Sequence, residues 1–586
     1  MTKYEKNLAK FLNGWQNNSD LEFIKKLEKQ FPDCSVYLVG GMVRDIALGR
    51  ESVDYDFVVT GVPGKKLEKA LSKMGKVDLV GKNFGVYKFY SKKQKIKKSK
   101  NQKINKSGKQ TPPTPPLTKE GNNATEAIDI ALPRTEHAFG TGGYRDVEVQ
   151  SDFRLPVKED LTRRDFTINA MALQVQSPKS KVKSQIIDPY RGLADLAAGK
   201  IRAVGRAEER FKEDYSRMLR AIRLACQLSF EIETKTWGAI KKKIKNLNRK
   251  HPAPKQAWYG ASKNTENTPH QNKFSTGQAK TQKHAIIDDW IVPREVIAKE
   301  LVKAVRADAV RALELLDNSG ALAVLMPELL KMKKCPQPKN FHAEGDVWRH
   351  TLLALKSLGL KKFIKEFSNY KLQPAQEIKK SSRLAGQEIN VPDEVIWGLI
   401  FHDSAKPETK TFNGRIRFNE HDMIGVKIWR QAAERLKLAS AGLDVDKVSQ
   451  IISKHMLPTH GKPAKMRETT IEKYFFSEQF PGQELLMLIY ADIMATVPPS
   501  GRPDFSSYNA LKKRIVKLTR GAENKIRQAK LPKELLDGNE VMKILNIKPG
   551  AEIGRIKEQL REAQLSGEIK TKKEAEKMLL KKRSHR

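Results

Sequence analysis

One stretch near the N-terminus restricts the fold more than any other part of this 586-residue chain. Residues 36–61 read VYLVGGMVRDIALGRESVDYDFVVTG, in which two β-rich apolar runs flank a Gly-Gly pair and a short helical pattern. Side chains alternate between the two faces of a strand, so Asp54 and Asp56 share one face and Phe57 points to the other. The pattern predicts a small sheet with one buried face and with paired carboxylates on the opposite face.

The paired carboxylates indicate a metal site. Two neighbouring carboxylates repel each other unless cations hold them, and two Mg²⁺ ions about 4 Å apart can clamp the attacking and leaving oxygens of a displacement. Asp129, in AIDIALPR, is a candidate third ligand from a neighbouring strand. The alternative explanation of Asp54 and Asp56 is an exposed strand edge without a metal.

Two further motifs carry groups that suit a nucleotide. Paired glycines let backbone N–H groups approach a triphosphate, and the start of the following helix favours anions. The sequence LTRRDFTINAMAL adds two guanidinium groups for phosphates and polar groups for ribose hydroxyls, although a surface helix start with solvated charges is the alternative. The candidate nucleotide-binding residues are Gly40, Gly41, Arg44, Asp45, Arg163, Arg164, Asp165 and Asn169.

The sequence FKEDYSRMLRAIRLACQL, residues 211–228, predicts a helix that could read a base. Asp214 and Arg217 are three residues apart and therefore neighbours on a helix surface. A carboxylate accepts from the exocyclic amino group of adenine or cytosine, while a guanidinium donates to the adjacent ring nitrogen. Arg220 and Arg223 follow at further steps of three, and their direction drifts around the helix. A simple ion pair within the helix is the alternative, worth a few tenths of a kcal/mol.

Most of residues 36–230 is covered by five motifs, which occur in this order: LVGGMVRD, VDYDF, RRDFTINAMA, DPYRGLADL and EDYSRMLRAIR. Together they resemble the class II tRNA nucleotidyltransferase and bacterial poly(A) polymerase family. The resemblance implies that Asp54 and Asp56 bind catalytic Mg²⁺ and that Asp214 and Arg217 form a protein template for base choice. It also implies contacts to the incoming nucleotide from Gly41, Arg44, Arg164, Arg220 and Arg223.

A second group of metal-binding residue types lies further along the chain. Six of the eleven histidines fall between His342 and His460. Imidazole and carboxylate groups from several helices suit a divalent transition metal or Mg²⁺. The segments FHAEGDVWRHTLLAL, LIFHDSAKPET, FNEHD, ISKHM and YADIMAT supply His350, His402, Asp403, His421, His455 and Asp492.

These segments resemble the HD family of metal-dependent phosphohydrolases. The resemblance implies a core metal motif of His350, His402, Asp403 and Asp492, with His421 and His455 as the extra ligands of two-metal members. Lys406 matches a lysine that contacts phosphate. The implied chemistry is removal of a phosphate, or opening of a 2′,3′-cyclic phosphate, at an RNA end. The alternative is an HD fold kept only as a helical scaffold, and the identity of the metal stays open.

The charge of the chain predicts a polyanionic partner, most often nucleic acid. The 110 Lys and Arg residues outnumber the 68 Asp and Glu residues, which gives a net charge of +42. Much of this excess lies in two low-complexity insertions, 91–123 and 245–285, and in the C-terminal tail. The insertions are interpreted either as loops without a dedicated role or as basic arms that touch RNA. The tail could meet RNA phosphates or form a small helical subdomain with a solvated face.

The sequence predicts an α+β protein with a mixed β-sheet in a small nucleotidyltransferase head, a mostly α-helical neck and body, and an all-α HD domain. Strand character appears at 36–40, 55–60, 84–90 and 127–132, and helical character dominates after residue 188. The predicted domains are the head (20–180), the neck and body (186–330), the HD domain (338–500) and a basic tail (505–586). No apolar run suits a membrane span, and three cysteines with unpaired spacing disfavour disulfides, so we expect a cytoplasmic protein.

The main hypothesis is a template-independent enzyme that adds CMP, AMP or both to the 3′ end of tRNA, with ATP and CTP as partners. A poly(A) polymerase, or an enzyme that adds only A or only CC, uses the same motifs. A phosphohydrolase with an RNA-binding head and a non-catalytic RNA-binding protein are alternatives of other classes. The oligomeric state is left open.

Overall fold

The computed structural model describes most of the chain. The described residues are 2–14, 21–50, 55–80, 85–91, 127–143, 146–175, 186–250, 290–368, 389–460, 463–522, 533–547, 550–565 and 568–583. Asp54 and nearly all of the two low-complexity insertions lie outside them. The chain divides into two compact units, Met1–Pro293 and Arg294–Arg586. This boundary falls inside the predicted neck and body, and the finer division into four domains stays a prediction.

The first unit contains a mixed sheet. Its strands follow the order β3-β4-β5-β2-β1-β8-β9, with β2 and β5 parallel and the other neighbours antiparallel. A hairpin of β6 and β7 and a small pair of β10 and β11 complete the described strands of this unit. The strands are β1 (Ser35–Val39), β2 (Asp56–Thr60), β3 (Gly75–Val80), β4 (Val86–Ser91), β5 (Ile128–Ala131), β6 (Arg134–Ala138), β7 (Val147–Ser151), β8 (Ala172–Val175), β9 (Ile186–Ile187), β10 (Lys200–Ile201) and β11 (Glu231–Ile232).

Helices pack around this sheet. Phe23 of the second helix meets Phe57 and Phe89 of the sheet, with ring centroids 5.6 and 5.3 Å away, and all three rings are buried. The helices of the first unit are α1 (Lys3–Gly14), α2 (Glu22–Gln30), α3 (Gly41–Ala47), α4 (Gly64–Met74), α5 (Val157–Thr162), α6 (Gly192–Ala197), α7 (Ala207–Glu213), α8 (Ser216–Leu228) and α9 (Thr234–Lys243).

The segment predicted as one helix at 211–228 is in fact broken. Helix α7 ends at Glu213 and α8 begins at Ser216, because Asp214 takes an extended conformation. The Asp214 carboxylate accepts the backbone N–H of Ser216 at 2.8 Å, which caps the second helix. The backbone N–H of Tyr215 donates to the carbonyl of Gly142 at 3.1 Å, outside both helices. Asp favours such a cap over a helix interior, since its short side chain competes for backbone N–H groups.

The second unit is mostly helical. Helices α14, α16, α19 and α22 pack on one another around buried rings that include Trp397 and Phe401. The helices are α10 (Arg294–Ala307), α11 (Ala309–Ser319), α12 (Ala321–Leu325), α13 (Pro327–Leu330), α14 (Val347–Ser357), α15 (Lys361–Phe367), α16 (Asp393–Phe401), α17 (Lys406–Thr409), α18 (His421–Arg435), α19 (Val445–Lys454), α20 (Leu457–His460), α21 (Glu468–Phe475), α22 (Gly482–Ala495), α23 (Ser506–Ala522), α24 (Gly538–Leu545), α25 (Ala551–Leu565) and α26 (Lys572–Arg583).

The predicted α+β class, with a mixed sheet in the N-terminal part and helices after it, is confirmed. Several strands were not predicted, and among them is an antiparallel hairpin of β12 (Lys410–Asn413) and β13 (Arg415–Phe418) that interrupts the helices of the second unit. The tail helices α24, α25 and α26 bury a small core of their own around Val541, Ala575 and Leu579. Among the described helices, none is both long and apolar enough to cross a membrane.

Candidate functional site

Two of the three predicted metal-binding aspartates meet across parallel strands. The register of β2 and β5 places Asp56 directly opposite Asp129, and the backbone N–H of Asp129 donates to Tyr55 at 3.0 Å. Cross-strand partners point to the same face of a sheet, so the two carboxylates are neighbours. The following residue of β2, Phe57, faces the core and is 2% exposed. Asp54, the third member, lies outside the described residues.

This pair of carboxylates fits a divalent cation. The Oδ1 atom of Asp129 is shielded from solvent and has no hydrogen bond within the described part of the chain. Its nearest cation is the Nζ atom of Lys88, at 3.6 Å. Like charges on directly opposed strand positions destabilise a sheet, and an oxygen-only ligand set is the one that Mg²⁺ prefers.

A glycine turn holds two other predicted groups beside the aspartates. Strand β1 ends at Val39, and Gly40 has φ 75° and ψ −140° before α3 begins. A Cβ atom at Gly40 would lie 2.7 Å from an Arg164 guanidinium nitrogen and 3.8 Å from an Asp56 carboxylate oxygen. Only glycine combines this backbone with such close neighbours. The turn therefore brings the first motif, the aspartate strand and the double-arginine motif into contact.

Five of the nucleotide-binding candidates form a continuous chain of hydrogen bonds and ion pairs. The Arg44 guanidinium donates two hydrogen bonds of 2.9 Å to the Asp45 carboxylate and one of 2.7 Å to the Asn169 side-chain oxygen. Asn169 donates to Asp165 at 3.2 Å, and Arg220 lies 2.8 Å from the other oxygen of Asp165. Burial favours the neutral acid, but Arg220 keeps the pKa of Asp165 below its usual value. Motifs more than 100 residues apart in sequence thus hold one another in place.

The predicted base-reading pair is arranged differently from the prediction. Arg217 contacts Glu213 at 2.5 Å and the backbone carbonyl of Arg163 at 3.3 Å, while Asp214 caps α8. Burial raises the pKa of Asp214 above its usual value. Further along α8, Arg223 turns to Gln227 at 2.6 Å, whereas Arg220 faces Asp165. The arginines therefore drift around the helix as expected, and the role of Asp214 and Arg217 in base choice stays a prediction.

The sequence reading missed a carboxylate that holds both arginines of the RRD motif. Asp160 on α5 is fully buried and accepts from Arg163 at 2.9 and 2.6 Å and from Arg164 at 3.1 Å. Glu136 on β6 supports Arg163 from the other side at 2.7 Å. The signal was present, because Asp160 precedes the two arginines by three and four residues, the spacing of neighbours on a helix.

Replacement of Asp160 tests this clamp. We expect Asp160→Ala to lower the free energy of unfolding of the first unit by about 3 kcal/mol, because two guanidinium groups lose a buried partner. We also expect a higher KM for nucleoside triphosphates. Chemical denaturation and nucleotide titration measure the two effects. Asp152→Ala, which removes an exposed partner of Arg154, is the matched control and should change neither quantity appreciably.

In the second unit, all six predicted metal ligands converge on one buried centre. Below we call them the histidine–aspartate cluster: His350, His402, Asp403, His421, His455 and Asp492. One half joins His350 to Asp492 at 2.8 Å and His402 to Asp403 and Asp492 at 3.2 and 3.5 Å. The other half joins Asp403 to His421 and His455 at 3.5 and 3.9 Å. The two oxygens of Asp403 face different halves, so this carboxylate lies between them.

Every histidine of the cluster is oriented through its Nδ1 atom. His402, His421 and His455 place Nδ1 at 2.7 to 2.8 Å from backbone carbonyls, and His350 places it 2.9 Å from Glu344. A carbonyl or carboxylate only accepts, so Nδ1 must carry the proton and Nε2 keeps its lone pair in the neutral ring. In their neutral form, the four rings therefore point an Nε2 lone pair at the centre, and this is the form that a metal binds.

The cluster fits a divalent metal on two observations. The Nε2 atoms of His421 and His455 face each other at 3.1 Å, which requires a proton or cation between them. The Nε2 atom of His402 is buried and has no well-aligned hydrogen bond within the described residues. Burial lowers the pKa of His455 to about 4, whereas Asp403 overcomes burial and raises that of His402 to about 10. Without a metal, the centre thus holds one imidazole whose neutral form is favoured, that of His455, and one whose charged form is favoured, that of His402, beside ionised carboxylates.

Two side chains at the cluster were not predicted. The Glu344 side chain is shielded from solvent and accepts from His350 at 2.9 Å and from His342 at 2.6 Å. Burial would raise its pKa, but these histidines lower it to about 2. Gln337 accepts from the Nζ atom of Lys406 at 2.9 Å, and this ammonium also lies 2.7 Å from Asp403. Glu344 lies within the segment FHAEGDVWRHTLLAL and Gln337 shortly before it, but no spacing rule singles them out.

Comparison with known proteins agrees with the geometry of the first unit. Residues 36–202 match the family model of the poly(A) polymerase head domain. This part of the chain is therefore similar to that family. The resemblance to class II tRNA nucleotidyltransferases and bacterial poly(A) polymerases, predicted from the motifs, is thereby confirmed.

Curated relatives extend beyond the head domain. An A-adding tRNA nucleotidyltransferase of Deinococcus radiodurans is 28% identical over 442 residues, which are 73% of this chain and 80% of the relative. A multifunctional CCA protein of Alkalilimnicola ehrlichii is 26% identical over 441 residues, 75% of this chain and 77% of the relative. A solved CCA-adding enzyme of Bacillus stearothermophilus in complex with CTP aligns over 96% of this chain and 97% of that chain, with 18% identity and a TM-score of 0.45.

Proposed function

We propose that this protein is a template-independent tRNA nucleotidyltransferase that adds CMP, AMP or both to the 3′ end of tRNA. The observation that carries the proposal is the pairing of Asp56 with Asp129 beside the Gly40 turn, inside a poly(A) polymerase-type head domain. Relatives named A-adding tRNA nucleotidyltransferase and multifunctional CCA protein support tRNA as the substrate. The partners proposed are therefore tRNA, ATP and CTP.

The chain's own residues bind and orient the reactants. Arg164 lies beside Gly40 and Asp56, where it can neutralise the triphosphate of the incoming nucleotide. Arg44 and Asn169 are already fixed by hydrogen bonds, so a nucleotide meets a pre-organised surface. The RNA 3′-hydroxyl attacks the α-phosphate, a new phosphodiester bond forms, and pyrophosphate leaves. Recognition of the RNA body is proposed to use phosphates and helical shape rather than sequence.

Asp56 and Asp129, together with Asp54, are proposed to hold Mg²⁺. The support is the set of oxygen ligands and the Asp129 oxygen that has no hydrogen-bond partner in the described part of the chain. When bound, Mg²⁺ neutralises the charge that develops on the phosphate and lowers the pKa of the attacking hydroxyl. We place the protein in the cytoplasm, where its proposed substrates occur.

Product length distinguishes the members of this enzyme class. Purified protein is given tRNA that lacks the 3′ CCA, and separately tRNA that ends in CC, with ATP alone, CTP alone, or both nucleotides. Addition of two residues with CTP and three with both indicates CCA addition. Addition of CMP without later AMP indicates the CC-adding alternative. Addition of one AMP to a preformed CC end, without CMP addition, indicates the A-adding alternative, and a long run of AMP indicates poly(A) polymerase. No extension in any reaction contradicts the proposal.

We propose a second activity for the histidine–aspartate cluster: metal-dependent removal of phosphate, or opening of a 2′,3′-cyclic phosphate, at RNA ends. The specific observation is that four imidazole Nε2 atoms and two carboxylates converge, with each imidazole fixed through Nδ1. Lys406, held between Asp403 and Gln337, supplies a buried positive charge for the phosphate. Which divalent metal binds is decided by metal analysis of the purified protein.

A further inference from the structure

The unpredicted hairpin of β12 and β13, residues 410–418 with the sequence KTFNGRIRF, adjoins the histidine–aspartate cluster. We call it the basic hairpin. It connects α17, which begins with Lys406, to α18, which begins with His421. All four residues of β12 are exposed, and the Phe412 side chain is 75% exposed, the largest value among the exposed large apolar residues described. A single exposed phenylalanine is ordinary, so the meaning of this one depends on its neighbours.

The strand register defines what shares a face with Phe412. Phe412 pairs with Ile416, and Lys410 pairs with Phe418. Because side chains alternate along a strand, these four residues lie on one face of the hairpin. The opposite face carries Thr411, Asn413, Arg415 and Arg417. One face is therefore largely apolar with a single ammonium group, and the other is polar and cationic.

The apolar face of the basic hairpin begins next to the histidine–aspartate cluster and extends away from it. The Nζ atom of Lys406 lies 5.4 Å from the centre of the Phe418 ring, and the carbonyl of Phe418 accepts from His421 Nδ1 at 2.7 Å. Phe418 is thus fixed to the cluster at the base of the hairpin. Phe412 belongs to the pair two residues further out, about 7 Å away along the strands. A bound polymer strand that lies along this face would therefore place its end near Lys406.

The arginines of the basic hairpin differ from several other arginines of this unit, which are held by carboxylates. Arg415 and Arg417 form no ion pair with any residue that the structure describes. Three other arginines of the second unit are engaged by carboxylates: Arg306 by Asp393, Arg430 by Asp446 and Arg435 by Glu328. The distance from one face of the hairpin to the other is shorter than the Debye screening length of about 8–10 Å at physiological salt. The two arginines therefore attract an anion that is bound on either face.

We propose that the basic hairpin binds the last nucleotides of a single-stranded RNA 3′ end and directs the terminal phosphate to the histidine–aspartate cluster. A base stacks on Phe412, a backbone phosphate contacts Lys410, and Arg415 and Arg417 supply further attraction. An exposed aromatic ring combined with unpaired cations is the surface that binds single strands without sequence preference. This inference rests on the second proposed activity, since it names the class of substrate for that centre.

Photocross-linking of the full-length protein tests the binding site without requiring hydrolysis. The probe is a short single-stranded RNA with 4-thiouridine as its last nucleotide and a 3′-phosphate. We expect cross-links within 410–418 and a roughly tenfold lower yield in Phe412→Ala, from the loss of one stacked base. Cross-links confined to other segments, or an unchanged yield in Phe412→Ala, would overturn the proposal. Leu360→Ala removes another exposed apolar side chain, 47% exposed, and should leave the yield unchanged.

A comparison of two substrates separates this proposal from the activity on which it rests. We expect Phe412→Ala to raise KM about tenfold for RNA ending in a 2′,3′-cyclic phosphate, with kcat unchanged. Hydrolysis of a nucleoside 2′,3′-cyclic monophosphate, which is too short to reach Phe412, should not change. Equal losses on both substrates would contradict the proposal. No hydrolysis of either substrate by the wild-type protein refutes the hydrolase activity, and the cross-links then decide the binding site.

The charge contribution has its own readout. Loss of two phosphate-attracting cations should reduce the slope of log affinity against log salt by about 1.4 for a single strand. We expect this for Arg415→Ala/Arg417→Ala with the same RNA. Arg502→Ala removes an exposed arginine outside the hairpin and should leave the slope unchanged. A slope that the double variant does not alter would show that these arginines do not act on the RNA.

Discussion

Asp56→Asn is expected to reduce nucleotide incorporation at least about a thousandfold, the largest effect of any single change in the head. The substitution keeps the size and shape of the side chain but removes the charge opposite Asp129. Asp129 then lacks its partner in holding a divalent cation, and stabilisation of developing phosphate charge is lost. Incorporation of labelled CMP or AMP into tRNA lacking CCA measures the effect under saturating Mg²⁺.

Asp56→Asn should lose activity without losing stability, and this difference separates an effect on catalysis from an effect on folding. Without divalent metal, Asp56→Asn relieves the repulsion between two opposed carboxylates, so the free energy of unfolding should stay constant or rise by up to about 1 kcal/mol. Asp78→Asn is the matched control, because Asp78 lies on the same sheet but pairs with Lys76 at the surface. It should incorporate nucleotides normally. Near-normal incorporation by Asp56→Asn would contradict the proposed role of this residue.

Asp403→Asn should have the corresponding effect on the histidine–aspartate cluster. Asp403 is the carboxylate between the two halves, with one oxygen toward Lys406 and His402 and the other toward His421. We expect at least about a hundredfold weaker binding of a divalent transition metal, since even residues that only orient metal ligands contribute 10- to 100-fold. Equilibrium dialysis followed by metal analysis measures this loss. Phosphate release from RNA ends should fall below detection.

Two comparisons define what the Asp403 result means. Glu344→Gln should weaken metal binding by an intermediate factor, because Glu344 orients His350 without belonging to the proposed ligands. Asp446→Asn, a surface substitution, should bind metal as the wild type does. Bound metal should raise the melting temperature of the wild type by a few degrees, but not that of Asp403→Asn. Undiminished metal binding by Asp403→Asn would show that the metal lies elsewhere.

Local sequence rules predicted the strands that carry chemistry. Alternation at 55–60 and 127–132 gave strands that the structure confirms as β2 and β5 to within about one residue. The same rules missed the break at Asp214, because the capping of Ser216 competes with a helical pattern that continues on both sides. They also missed the hairpin at 410–418, whose two strands of four residues are too short for a clear period.

Residues that support the sites were harder to predict than the sites themselves. Asp160 carries a local signal, since it stands three and four residues before Arg163 and Arg164. The contact between Arg220 and Asp165 has no such signal, because 55 residues of chain separate them. The same holds for Gln337 and Lys406, which are joined across 69 residues. Side-chain hydrogen bonds of this range depend on how helices and strands pack, which periodicity does not encode.

The sequence by itself determined the fold class, the resemblance of the head to a known family, and the residue types available for two metal centres. Motif order and side-chain alternation can be recognised in the sequence alone, because neither depends on how the elements pack. Only the tertiary structure decided that Asp56 faces Asp129 through parallel pairing, and that four histidines present Nε2 rather than Nδ1 to their centre. Strand register and imidazole orientation are set by hydrogen bonds between distant segments, and these exist only after the chain has folded.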